Sequence, residues 1–153
     1  MAQVTETARG VVAQWEVDFF DHMNVRHYVG RFDDATWNFF AGLGMSRDYF
    51  TGNGRAMFAV QQNISYLGEL RAGDTIAVET EIREIAARRI IFEHRMRNGV
   101  SGEVAAVCEL TGVHVDLATR RACAFPDDVL RAGEAQLGDE AGAARPGERA
   151  ANA

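Results

Sequence analysis

The chain has 153 residues, 47% of them hydrophobic, which is enough for one domain with its own core and short for two. A net charge of −6 and a pI near 5.2 argue against nucleic acid as the main partner, because a phosphate-binding surface needs a basic excess. All sixteen basic residues are arginine, most simply a mark of genomic base composition, and the absence of lysine excludes Schiff-base chemistry.

Along the chain, Val11 to Val17 reads as a half-buried strand. From Asn24 the spacing becomes helical, with apolar residues at Val25, Tyr28, Val29, Phe32, Ala35, Phe39, Phe40 and Leu43. Asp18 therefore sits at a strand-to-helix junction, and a helix start supplies unpaired N–H groups and partial positive charge that can hold a carboxylate or polarise a carbonyl. Gly42, Gly44 and the polar stretch from Ser46 to Arg55 read as a loop. A long strand, or a bulged pair, follows from Ala56 to Tyr66, and Gly73-Asp74 marks a turn.

Ile76, Val78, Thr80 and Ile82 then alternate with polar neighbours as a one-sided strand, and Arg89 to Arg97 repeats the pattern. Asn98-Gly99 predicts a tight hairpin, and Val104 to Val115 a long strand with Gly112 as a candidate bulge. Phe125-Pro126-Asp127-Asp128 opens a short terminal helix. Residues 131–153 are poor in large apolar side chains and read as a disordered tail, leaving a single domain over residues 1–130.

One strand, a helix of about eighteen residues and four antiparallel strands predict an α+β domain in which a continuous meander curls around the helix. One strand is then left at each edge, and dimerisation would relieve both edges, so a homodimer or dimer of dimers is expected. Cys108 and Cys123 have no metal or redox spacing, nothing at the start resembles a signal peptide, and no apolar run approaches the ~20 residues of a membrane span. A cytoplasmic protein with reduced thiols and no membrane partner is the expectation.

The run Asp18-Phe-Phe-Asp21-His22-Met23-Asn24, followed by Tyr28, Phe32 and Ala35, resembles the Asp-x-x-Gly-His-Met/Val-Asn signature of hotdog-fold acyl-CoA thioesterases of the 4-hydroxybenzoyl-CoA thioesterase-like group. Asn63-Ile-Ser-Tyr-Leu-x-Glu-Leu-Arg-x-Gly-Asp74 and Val115-Asp116-x-x-Thr-Arg-Arg121 look like that group's second and last strands. The resemblance spans about residues 11 to 130 and is specific as a set. It implies a hotdog fold, a long central helix wrapped by a curled antiparallel sheet of five or six strands. It also implies hydrolysis of an acyl-CoA to free acid and coenzyme A, with no cofactor and no metal. The group's catalytic aspartate falls on Asp18, and the amide that polarises the thioester carbonyl falls near Val25.

Asp21 stands where the group has glycine, which adds a second carboxylate at a turn that favours left-handed backbone. The segment Gly30-Arg-Phe-Asp-Asp-Ala-Thr36, with Asp18 to Asn24, is similar to the thioesterases attached to or encoded near carnitine dehydrogenases, which act on betainyl-CoA. That likeness implies a quaternary ammonium group met by Asp21 or nearby aromatics.

Thioester hydrolysis needs a nucleophile or a base for water, and a donor for the oxygen on which charge develops. Asp18 can attack, forming a mixed anhydride, or activate water. The Val25 amide is the candidate donor, with Asn24 or His22 as partners, although Asn24 also suits a helix cap and His22 suits pairing with carboxylates. Asp18, Asp21 and His22 have the wrong span for a metal. Asn63 and Ser65 are candidate substrate contacts on the second strand. Arg88 and Arg89, with Arg120 and Arg121, are candidates for gripping the coenzyme A phosphates. His94 and His114 fall in strands and read as structural, and Trp37, Phe39 and Phe40 as core or dimer contacts.

Two competing readings are a hydratase or dehydratase on the same fold and a non-catalytic acyl-CoA-binding module. The hydratases resemble Asp-x-Asn-Pro-x-His, one residue longer from Asp to His than Asp18 to His22 and with a proline this chain lacks there. A binding module would make Asp18 dispensable.

Overall fold

The computed structural model of the protein describes residues 1–137. Its elements are β1 (Val4–Val11), a 3₁₀ turn (Gln14–Glu16), α1 (Val25–Gly42), α2 (Arg47–Asn53), β2 (Arg55–Tyr66), β3 (Thr75–Ile85), β4 (Arg89–Asn98), β5 (Val104–Asp116), β6 (Arg121–Ala122) and α3 (Asp127–Leu137). The strands form one antiparallel sheet in the order β1-β3-β4-β5-β2, with β6 paired to the end of β5.

Helix α1 starts where the Asn24 side chain accepts the N–H of Arg26, and it ends before Gly44, whose φ of 94° lets the chain turn back. Its buried stripe, Tyr28, Phe32, Ala35, Phe39 and Phe40, follows the helical period and lies in the concave face of the sheet. There it meets Ile82, Ile90, Phe92, Met96 and Leu110, the inward residues of alternating strands. Each large side chain so buried contributes about 1.5–3 kcal/mol of transfer free energy, which holds helix and sheet as one unit. This is the α+β hotdog architecture expected from the sequence.

The first strand lies earlier than the sequence reading had it, at Val4–Val11 rather than from Val11 to Val17. Val12 leaves the sheet to pair with the Gly73-Asp74 turn, and the Glu16 carboxylate accepts the N–H of Ala13, closing a 3₁₀ turn. A local side-chain bond thus overrides an alternating pattern. Ser46 to Arg55 is not all loop. Ser46 precedes α2, Phe50 anchors it in the core, and Gly54 at φ 60° stops it.

The meander is continuous only through β3, β4 and β5. β2 lies beyond β5, and residues 67–74 carry the chain across to the other edge, pinned by buried Leu70. This crossover puts strands on both flanks of α1, a pairing that no local pattern encodes. The β4–β5 connection is also longer than a two-residue hairpin. Asn98 Oδ1 accepts the N–H groups of Val100 and Ser101, and Gly102 takes the positive φ. The bulge sits on β2 rather than at Gly112, where the register slips between Ala59 and Gln61. Helix α3 runs through Leu137, so residues 131–137 are helical rather than tail, and the rest of the expected tail, residues 138–153, lies outside the described residues. No helix among the described residues is long and apolar enough to cross a membrane.

Candidate active site

The chain between the 3₁₀ turn and α1 is a closed loop. Val17 bridges Met23, the N–H of Asp18 donates to the carbonyl of His22, and Met23 is buried with its N–H on the carbonyl of Leu70. The residue at the tip, Asp21, has φ 61°. It occupies a left-handed conformation, which glycine adopts freely and Asp at some cost, and its carboxylate is exposed.

Both oxygens of Asp18 are oriented. Oδ1 accepts the N–H of Phe20 at 2.9 Å and Oδ2 accepts Nδ2 of Asn24 at 2.8 Å. Asn24 in turn uses its Oδ1 to cap α1, so one amide side chain fixes the carboxylate to the helix start. The Asn24 and Phe20 hydrogen bonds, helped by His22 and Arg26, hold the Asp18 carboxyl below the usual carboxylate range. It is ionised at neutral pH. Val25, the first residue of α1, donates its N–H to no partner among the described residues, which leaves a polarised donor beside the carboxylate.

A surface cleft of about 350 Å³ opens at this point, lined by Trp15, Glu16, Val17, Asp18, Phe19, Asn24, Arg26 and His27. Trp15, Phe19 and Phe20 all lie exposed around it. The His22 ring stacks on Phe20 and directs Nε2 to Glu69 at 3.8 Å, away from a shared bond with Asp18. Farther along α1, a cavity of about 120 Å³ lies between the helix and strands β2 and β5, with Val29, Phe32, Trp37, Phe40, Met57 and Gly112 among its walls.

Asp18, Asn24, Val25, His22 and Asp21 are therefore brought together. Asn63 and Ser65 are not. They register with Glu109 and Val107 on the sheet's outer face, whereas Gln62, Ile64 and Tyr66 face the helix side, Tyr66 packing on Tyr28. Arg88 and Arg89 lie at the β3–β4 turn, the opposite end of β3 from Asp74 and Val12; an eleven-residue strand spans about 35 Å. Arg89 pairs there with Glu84. The pair of buried Glu16 and half-buried Arg31, beside Asp18, is absent from the sequence reading; the spacing of Ala13 to Glu16, an acidic residue at the third position of a turn, was its only local signal.

His94 and His114 are both fully buried. Thr36 donates to the Phe32 carbonyl, so it accepts from His94 Nε2, and His94 Nδ1 accepts from Thr80. His114 Nδ1 donates to the Cys123 carbonyl, and its Nε2 accepts from Tyr49. With both nitrogens committed, each ring is part of the packing.

The model of the Thioesterase-like superfamily matches residues 11–133. An L-carnitine dehydrogenase/betainyl-CoA thioesterase of Agrobacterium fabrum is 31% identical over 116 residues, which are 76% of this chain and 24% of that protein. This chain thus spans about a quarter of the fused relative. The betainyl-CoA thioesterase of Pseudomonas aeruginosa is 27% identical over 135 residues, covering 88% of this chain and 85% of that protein. A Staphylococcus aureus protein solved in complex with CoA superposes with a TM-score of 0.83 at 22% identity, over 89% of this chain and 85% of that one. The match across residues 11–133, which takes in the loop and helix that hold Asp18, makes this chain a member of the Thioesterase-like superfamily.

Proposed function

We propose that the protein is an acyl-CoA thioesterase whose working groups are Asp18 and the start of α1. The observation that carries this reading is a doubly anchored, ionised carboxylate beside an uncommitted helix N–H. A thioester carbonyl lying over Val25 would have its oxygen polarised by that N–H and by the helix dipole. Asp18 then serves one of two routes. It attacks the carbonyl carbon, expelling the coenzyme A thiolate and leaving a mixed anhydride for water, or it takes a proton from the water that attacks. Asn24 holds the carboxylate in either route.

Hydration, the competing chemistry, would need Asp18 and His22 to share one water, whereas the Asp18 carboxylate is held by Phe20 and Asn24. A panel of acyl-CoAs with colorimetric detection of free thiol tests the proposal. Release from at least one substrate, lost in Asp18→Asn, is expected; no release from any thioester overturns it.

A finer reading is favoured by the exposed Trp15, Phe19 and Phe20 with Asp21 at the same loop: a quaternary ammonium acyl group, as in betainyl-CoA. Betainyl-CoA against its neutral isostere 3,3-dimethylbutyryl-CoA isolates the charge. A kcat/KM ratio near one, or a clear preference for neutral medium-chain or aromatic acyl-CoAs, removes this reading.

We also propose a homodimer, or a dimer of dimers, working in the cytoplasm. Edge strand β2 exposes Phe58, Val60 and Tyr66, and α1 exposes Val25, Val29 and Trp37 beside it. Two-fold pairing of β2 edges would cover these residues. Antiparallel pairing would also turn the far end of the partner's sheet, with its arginines, toward the Asp18 end, an arrangement in which Arg88 and Arg89 could serve coenzyme A.

A further inference from the structure

We infer that the pair of buried Glu16 and half-buried Arg31 is a positioning device for the reaction, a brace that sets Asn24 and Asp18 against the start of α1. The inference rests on the thioesterase reading only for its kinetic part.

Three pieces of chain meet at this pair. Glu16, 3% exposed, accepts the Ala13 N–H at 2.9 Å and Arg31 Nη2 at 2.5 Å through the same Oε1. Arg31, from the second turn of α1, also donates from Nη2 to the Val11 carbonyl at 2.7 Å, the end of β1. One guanidinium thus ties the strand end, the 3₁₀ turn and the helix together. The backbone of Glu16 completes the link, because its carbonyl accepts the N–H of Asn24 at 2.9 Å. Asn24 is the residue that both caps α1 and holds Asp18 Oδ2. A shift at Glu16 therefore passes through one hydrogen bond to the groups that hold the carboxylate.

The strand makes room for the brace. A Cβ at Gly10 would lie 2.5 Å from Arg31 Nη1, closer than side-chain atoms approach, so a glycine there admits the guanidinium. Burial alone would raise the Glu16 carboxyl, yet the Arg31 hydrogen bond and charge and the Ala13 N–H hold it below its usual range. The pair is a formed ion pair, and its partly buried guanidinium fork has the planar geometry a lysine cannot supply.

Glu16 lies in the wall of the cleft, but its carboxylate is taken up by Arg31 and the Ala13 N–H, so its effect is on geometry. A displacement of about 1 Å at a reacting group costs up to ~10²-fold in rate. Glu16→Gln keeps size and the Ala13 bond while removing the charge that holds Arg31. Gly10→Ala pushes on the guanidinium from the strand side and alters nothing at the loop itself. Both are expected to lower kcat about 10- to 100-fold with KM changed less than threefold, at temperatures where circular dichroism shows the chain folded. Arg31→Lys, which keeps charge without the fork, recovers part of the loss relative to Arg31→Met.

A purely structural pair would lower Tm and leave kcat per folded molecule intact. A second readout is independent of activity: the Asp18 carboxyl followed by ¹³C NMR titration. The charged and titratable groups around it are His22 and Arg26, Glu16 and His27 in the wall of the same cleft, and Asp21 and Glu69 on the loop side. Gly10→Ala changes none of them, so loosening Asn24 should move the Asp18 titration up toward the ordinary aspartate range; Glu16→Gln also removes a neighbouring negative charge, which opposes that move, so Gly10→Ala is the cleaner variant. If wild type hydrolyses no thioester, the thioesterase reading fails, and the titration still decides the brace. Wild-type-like kcat and an unmoved Asp18 titration in both Glu16→Gln and Gly10→Ala would overturn it. Should Glu16→Gln not fold, the same two measurements on Gly10→Ala decide for or against the brace.

Discussion

His94 and Asp18 are both held by two side-chain or backbone partners, yet one lies in the core between helix and sheet and the other on the open loop before α1. His94 is fully buried behind Thr36 and Thr80, and burial pushes its pKa down to about 3, so it is a neutral ring. Asp18 is partly exposed, and its hydrogen bonds push it down as well, so it is a charged carboxylate. Opposite causes act on the two: loss of water decides the first, and donors aimed at the anion decide the second. The lesson is that a satisfied titratable group in the core reports on stability, whereas one satisfied at an open loop beside an unpaired helix N–H reports on chemistry.

That contrast can be broken by substitution. His94→Ala removes a packed ring and one hydrogen-bond partner of Thr80, whose hydroxyl keeps Thr7, and should cost about 3–4 kcal/mol of stability in chemical denaturation. Thioesterase activity per folded molecule should stay within about twofold. Asp18→Asn should do the reverse, with Tm nearly unchanged and thiol release down at least ~10²-fold, about 2.7 kcal/mol of barrier. If Asp18→Asn stays within about threefold of wild type, the carboxylate is not the working group.

The two groups also differ in their pH windows. The folded pKa of His94 lies below its ordinary value of 6.5, so between about 3 and 6.5 the unfolded chain binds more protons than the folded one. Stability from this group is complete above ~6.5 and falls by up to about 1.4 kcal/mol per pH unit as pH drops. Denaturation curves at several pH values should show that slope in wild type and lose it between about pH 6.5 and 5 in His94→Gln. Asp18 acts lower. The acid limb of kcat/KM should lie below the ordinary aspartate range and rise toward it in Asn24→Ala, which removes the first of its donors. The smallest effect is expected from Asp21→Gly. Relief of the left-handed backbone should offset the lost carboxylate, leaving stability within about 1 kcal/mol and kcat within about threefold on neutral substrates. A drop confined to cationic acyl-CoAs would sharpen the role of Asp21.

Much of this was legible in the residues themselves. The 3.6-residue spacing from Val25 to Gly42 and the period of two in β3 and β4 are local patterns, and helix α1, its Asn24 cap and Asp18 at its doorstep followed from them. The failures were of two kinds. In residues 13–16 a side chain captured a backbone N–H, so Glu16 beat the alternation of its neighbours. In β2 the local reading of a strand held, but its partner was β5 rather than β3, because crossing the sheet is decided by which edge is left for it. The placement of the candidate contacts Asn63 and Ser65 depends on the same pairing. Their spacing put them on one face, and only the pairing with β5 shows that the face is outward.

By itself, then, the sequence determined what periodicity and short-range capping can carry: the helix, the strands, the turn at Asp21 and the carboxylate at the junction. Tertiary structure decided what depends on residues far apart in the chain. It closed Glu16 on Arg31, aimed both oxygens of Asp18, turned His22 to Glu69, and left Arg88 and Arg89 a strand's length away. The physical reason is that hydrogen bonds and packing act over a few ångströms in space, while a local pattern acts only along the chain.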